Sequence, residues 1–262
     1  MSSRFDAPRD DAKNNGATRA LESSAVDNAH SKAAKEDCSR RSFFQMTIGG
    51  AVAGLVGTVG MEFAAPRPVL AQSALTPDAA LQELMDGNKR FVTRGLVSCE
   101  QDLAILQQRT IDKQEPFAAV LSCADSRVPV ELVFDQTIGH IFVTRVAGNF
   151  AASEIIASLE YGALVLGTEV IMVLGHKNCG AVKATIQAKE VPGQISALYA
   201  YLQPAVNQAG PDLEAATKAN AKIQAALLRQ SSTVISGLLK ANKVKVVAAY
   251  FDVGTGVVSL LD

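Results

Sequence analysis

A chain of 262 residues with 48% hydrophobic content can bury one substantial core, so one folded domain is the simplest count. Its 25 Lys and Arg against 26 Asp and Glu leave a formal net charge of −1, which gives no basis for nucleic acid or an anionic membrane as partner. A small or neutral ligand is expected instead.

Residues 1–37 are polar and charged, rich in Ala, Ser, Asn and Asp and without apolar periodicity, so they are expected to be disordered. Next come Ser39-Arg40-Arg41-Ser42-Phe43-Phe44-Gln45, an uncharged Gly-rich apolar run from Met46 to Gly60, and Val69-Leu70-Ala71. That order is a twin-arginine export signal ending in a small-residue cleavage site. The apolar run is 15 residues, short of the roughly 20 needed to cross a bilayer, which favours a signal over an amino-terminal anchor. The expected organisation is therefore a disordered region plus signal at 1–71 and a catalytic domain at 72–262, exported, with the periplasm as destination and no stable membrane span after cleavage. Cleavage would remove Cys38 and leave Cys99, Cys123 and Cys179, an odd number that argues against a disulfide framework.

Within the expected domain, Thr76-Pro77-Asp78 has the form of a helix start, with Thr as N-cap and Pro at the first helical position. Leu81, Leu84, Met85, Phe91 and Val92 then share one face of a helix predicted to end near Gly95. Phe117-Ala118-Ala119-Val120-Leu121, continuously apolar after Pro116, suits a buried parallel strand. A second apolar run at Ile141-Phe142-Val143 precedes a helix carrying Ile155, Ile156, Leu159, Ala163 and Leu166. A third strand spans Val170-Ile171-Met172-Val173-Leu174. A long helical region from about Pro211 to Ala241 follows, then a strand near Val244–Ala249, and Val257–Leu261 after Gly254-Thr255-Gly256 reads as an antiparallel edge strand. Strands alternating with helices predict an α/β fold: a central, mostly parallel β-sheet with an antiparallel edge strand, flanked by helices, with an amino-terminal helical arm.

Chemistry concentrates at two strand ends. Cys123-Ala124-Asp125-Ser126-Arg127 and His176-Lys177-Asn178-Cys179 supply two thiols, an imidazole and a carboxylate beside a guanidinium. Either segment alone is weak evidence in a chain with three His and four Cys; together they describe a zinc site. Zinc takes thiolate and imidazole ligands, and a catalytic site uses three protein ligands with a fourth position open, here Cys123, His176 and Cys179. Asp125 and Arg127 lie close enough to orient a water on the metal. Ligands in open α/β sheets gather beyond the carboxyl ends of strands, so segments 53 residues apart can meet.

These segments, with Phe142-Val143-Thr144-Arg145-x-Ala147-Gly148-Asn149, Glu160-Tyr161 and Gly175-His176-x-x-Cys179-Gly180, resemble the β-class carbonic anhydrases from about Ala79 to the carboxyl terminus. The resemblance implies reversible hydration of carbon dioxide to bicarbonate and a proton by zinc-bound hydroxide, with Cys123, His176 and Cys179 as ligands and Asp125 and Arg127 as the catalytic dyad. In some relatives the same Asp swings onto the metal when its Arg pairing breaks, which would make Asp125 a fourth ligand in a closed state. Gln114 and Tyr161 match substrate-pocket positions contributed across a dimer interface, and the Gly180 amide matches a substrate contact; a homodimer or higher homo-oligomer is implied. The absence of Trp means that the Trp-containing bicarbonate pocket of some members cannot be built. A carbonyl sulfide or carbon disulfide hydrolase and a structural zinc module are the competing functions. His140 is the other His of the expected domain and reads as structural or exposed more readily than as a proton shuttle.

Overall fold

The computed structural model describes residues 75–98, 111 and 113–261. The expected leader, Cys38 and Cys99 lie outside the described residues. Thr76 caps the first helix by accepting the Ala79 N–H at 3.2 Å, and Pro77 opens α1, Pro77–Val92. The helix stops at Thr93, ahead of Gly95. Its buried stripe also differs from the predicted face: Ala80, Leu84, Gly87 and Asn88 are buried, while Val92 is exposed. Gly87 explains the shift, since a Cβ there would sit 1.8 Å from the Phe134 carbonyl oxygen. Asn88 can then be buried because its amide donates to the carbonyls of Val133 (3.1 Å) and Gly256 (2.9 Å) and accepts from the Val258 N–H (2.9 Å).

The sheet has the order β2-β1-β3-β4-β5, with β1 Ala118–Ser122, β2 Ile141–Arg145, β3 Val170–His176, β4 Lys245–Phe251 and β5 Val258–Leu260. The first four strands run parallel and β5 is antiparallel to β4, as predicted. Every residue of β1 and β3 is buried, as a parallel sheet covered on both faces requires. Side chains alternate between two cores: Val120, Met172 and Leu174 pack with Leu84 and Phe134, whereas Leu121, Ile171 and Val173 pack with Leu159, Ala221 and Leu228.

Between the strands lie α2 (Val130–Val133) and α3 (Ser153–Leu164), and after β3 come α4 (Gly180–Gln187), a 3-10 turn (Ile195–Leu198), α5 (Tyr199–Ala209), α6 (Leu213–Ser231) and α7 (Thr233–Lys240). The long helical region predicted from about Pro211 to Ala241 consists of α6 and α7, divided where Ser232 adopts an extended backbone and caps α7 by accepting the Ile235 N–H at 2.9 Å. Leu166 falls beyond α3 yet is buried. None of the described helices is long and apolar enough to cross a membrane.

One ion pair fastens α1 to Asp135, two residues past the end of α2. Asp135, whose side chain is fully buried, accepts Arg90 Nε at 2.5 Å and the backbone N–H groups of Val97 and Ser98 at 3.0 and 3.1 Å. Burial pushes its carboxyl up, but these donors outweigh it and hold the group below its ordinary value. The contribution is therefore present above the unfolded carboxylate pKa and lost as pH falls through the lowered folded one. Asp135→Ala leaves Arg90 Nε and two backbone amides without their acceptor, and should cost about 2–3 kcal/mol in urea unfolding. A cost under about 0.5 kcal/mol, the range of ordinary surface substitutions, would contradict the anchoring role.

Candidate metal centre

Ser122 at the end of β1 pairs with Leu174 on β3, so Cys123 and His176 leave neighbouring strands side by side. From β1 the chain passes to β2 on one side, and from β3 to β4 on the other, which makes this strand boundary a topological switch point with a crevice above it. Past His176 the backbone turns at Asn178, which has φ +58°, and returns Cys179 as N-cap of α4. The ligand atoms of Cys123, His176 and Cys179 all lie within 4.8 Å of one another, and all three residues are buried.

The donor chemistry fits zinc. His176 Nδ1 donates to the Lys177 carbonyl (3.1 Å), which fixes the tautomer and leaves Nε2 as the lone-pair nitrogen; Nε2 is buried with no hydrogen-bond partner among the described residues. Cys123 and Cys179 are free thiols, not a disulfide. The two thiols face each other closely enough for their protonation to be linked: the hydrogen bond from Cys179 draws Cys123 below the usual thiol range, while the same contact, with burial, pushes Cys179 above it, so one proton between the pair is favoured over two thiolates. A cation in place of that proton would let both become thiolates, and two thiolates with an imidazole nitrogen are a donor set that zinc takes.

Asp125 stands at the rim, its Oδ2 3.9 Å from His176 Nε2 but outside the three-ligand cluster. Arg127 holds it in a fork, Nε to Oδ1 at 2.9 Å and Nη2 to Oδ2 at 2.8 Å, and the Arg127 backbone N–H also donates to Oδ1 at 2.9 Å. Arg127 thereby keeps the carboxyl far below the usual carboxylate range. The same guanidinium reaches the Asn178 carbonyl at 3.3 Å and links the two halves of the site.

Gly180 starts α4 beside the cluster, and a Cβ placed there would meet nothing within 4 Å, so the approach is open. Gln114 and Tyr161 are not brought to the cluster within one chain. Gln114 precedes the amino end of β1, whereas Cys123 follows its carboxyl end. Tyr161 lies half-exposed on α3, its ring 6.3 Å from that of Phe142. His140 precedes the amino end of β2, exposed, with Nδ1 3.2 Å from Thr137 Oγ1; that end is opposite the cluster and unsuited to a proton shuttle. Lys177 pairs with Asp252 at 3.0 Å.

The sequence profile described as "Carbonic anhydrase" matches residues 118–258, just over half of the chain and both ligand segments. The chain belongs to this family. It is 44% identical over 112 residues to the carbonic anhydrase of Mycolicibacterium smegmatis, covering 43% of this chain and 54% of that one. It is 41% identical over 112 residues to carbonic anhydrase 2 of Mycobacterium tuberculosis, with the same coverage of 43% and 54%. The chain thus spans about half the length of these curated relatives. Among solved structures, a tetrameric β-carbonic anhydrase of Sordaria macrospora aligns with TM-score 0.56 at 18% identity, over 69% of this chain and 96% of that one. A β-carbonic anhydrase of Aspergillus fumigatus aligns with TM-score 0.58 at 22% identity, over 70% of this chain and 90% of that one. These two likenesses establish the fold as that of the β class.

Two members of the Phe142–Asn149 motif, which had no individual role from sequence, also shape the site here. Arg145, at the end of β2, donates to the Cys123 carbonyl at 3.0 Å and the Asp125 carbonyl at 2.6 Å, clamping the loop that carries ligand and carboxylate. The Gly148 N–H donates to Cys123 Sγ at 3.3 Å. Both belong to the Phe142–Asn149 segment, but their contacts depend on β2 pairing with β1 and leave no local sequence signal.

Proposed function

We propose that this chain is a zinc-dependent carbonic anhydrase, catalysing reversible hydration of carbon dioxide to bicarbonate and a proton. The observation that carries the proposal is the buried Cys123, His176 and Cys179 cluster with an arginine-held carboxylate at its rim. Zinc held by these three residues supplies Lewis acidity that brings the pKa of a water molecule toward neutrality. Asp125, kept ionised by Arg127, accepts a hydrogen bond from the attacking water and fixes which lone pair faces the substrate. Gly180, at the positive end of α4, presents its amide to the developing carboxylate oxygen. A structural zinc module would leave the Asp125 and Arg127 fork without a purpose. Turnover of carbon dioxide against carbonyl sulfide by the same zinc-loaded sample tests the substrate: carbon dioxide should be preferred, and preference for the sulfur compound would overturn the assignment.

The pH dependence has a defined sign. Asp125 lies far below the usual carboxylate range, so it is already ionised throughout pH 6 to 9 and produces no limb there. Two thiolate ligands place more negative charge on the metal than imidazoles would, so the water is acidified less than in a three-histidine site. Activity should therefore rise toward alkaline pH, and a flat kcat/KM profile between pH 6 and 9 would contradict this.

We further propose that the working unit is a homodimer or higher homo-oligomer. The support is threefold: among the described residues β2 is an edge strand with one unpaired side, Tyr161, Leu164 and Val165 expose apolar surface at the end of α3, and Gln114 and Tyr161 stand too far round the sheet to serve their own cluster. The leader at 1–71 is proposed to direct twin-arginine export to the periplasm, which amino-terminal sequencing of periplasmic protein would check.

A further inference from the structure

We propose that Asn220 and Gln224, two buried amides on α6, are positioning residues of the metal centre that keep the Gly148 N–H aimed at the Cys123 sulfur; this rests on the zinc site proposed above. They lie one turn apart on a helix that also buries Ala216, Thr217, Ala219, Ala221, Ala225 and Leu228. Asn220 is 0% exposed and Gln224 3%, so each amide needs internal partners to be tolerated.

The partners are specific. Asn220 Nδ2 donates to the Gly148 carbonyl at 2.9 Å, and Gln224 Oε1 accepts the Ala151 N–H at 3.0 Å. Gln224 Nε2 donates to Asn220 Oδ1 at 3.2 Å, joining the two amides into one clasp around the 148–151 loop. The loop has a conformation that requires holding: Gly148 has φ +89° and Asn149 φ +42°, successive residues in the left-handed region. A Cβ on Gly148 would also meet Leu202 carbons at 2.9 and 3.1 Å, so the glycine is required by both conformation and space. The residue gripped at its carbonyl by Asn220 is the one whose N–H reaches the Cys123 thiol at 3.3 Å. Apolar side chains at 220 and 224 would leave the Gly148 carbonyl and the Ala151 N–H without these partners, so the amides stabilise the loop as well as direct it. The direction they impose places a donor on the Cys123 sulfur, and outer partners of this kind set ligand direction and charge.

The test loads the full chain with zinc and with NMR-active cadmium, comparing the parent with Asn220→Leu and Gln224→Met. In the cadmium-loaded parent, the Gly148 amide proton should show scalar coupling to the metal through the N–H to sulfur bond. In folded variants that coupling should vanish or weaken, and zinc affinity by chelator competition should fall about 10–100-fold. Variants that merely melt earlier, with affinity and coupling intact, would overturn the inference. So would a cadmium-loaded parent without coupling at Gly148, a measurement that stands even if neither variant folds. A parent that takes up no metal would overturn the zinc site itself, which separates the two failures.

Discussion

Asp125→Ala should bind zinc as the parent does and lose about a hundredfold or more in turnover. The ligand cluster of Cys123, His176 and Cys179 does not include Asp125, so its removal takes no donor from the metal. What goes is the acceptor that Arg127 holds in place with two side-chain hydrogen bonds. Arg127 retains the Asn178 carbonyl as a partner, so the two halves of the site stay linked. Stopped-flow kcat and zinc content measured on one preparation check both halves of the expectation. Full activity would remove Asp125 from the catalytic role, and loss of zinc would show that it ligates the metal.

Cys179→Ala should lose zinc. The substitution leaves only Cys123 and the His176 imidazole, two donors where a zinc site needs three or four. The fall in affinity should exceed the 10–100-fold that loss of an outer partner costs. Cys179 is fully buried at the start of α4, so Ala also removes core volume; Cys179→Ser, close in size, separates lost ligation from lost packing. A parent that binds zinc only when folded gains thermal stability as zinc is added, and that gain should disappear in both variants. Either variant holding one zinc per chain at the parent's affinity would contradict the ligand assignment.

The meeting of Cys123, His176 and Cys179 was legible because thiols and imidazoles are scarce in this chain and their chemistry is narrow. The strands were legible where apolar runs are bounded: Pro116 marks the approach to β1, and β3 is seven buried residues ending at His176. Other features depend on contacts no local pattern encodes. Gly87 and Asn88 read as poor interior helix residues, yet they form the buried stripe because α1 must approach the Phe134 carbonyl and Asn88 satisfies three backbone groups. Helix α5 contains Pro204, which local rules take as a breaker, while Leu202 and Ala205 bury its inner side. No periodicity pointed to α4 or α5. The register of Ser122 with Leu174, which brings the two motifs together, follows from non-local pairing and was expected only from the general behaviour of parallel sheets.

The same distinction separates the parts of the site. Asp125 and Arg127, two residues apart, declare their pairing in the sequence, and the structure shows it as a fork. The clamp from Arg145 and the N–H from Gly148 come from the next strand and its following loop, so only the fold reveals them.

The most direct measurement is stopped-flow carbon dioxide hydration by the purified domain, with zinc stoichiometry determined on the same sample. Turnover that accompanies about one zinc per chain, disappears on chelation and returns on zinc addition is the predicted result. Stoichiometric zinc with no hydration activity, persisting at alkaline pH, would contradict the proposed function.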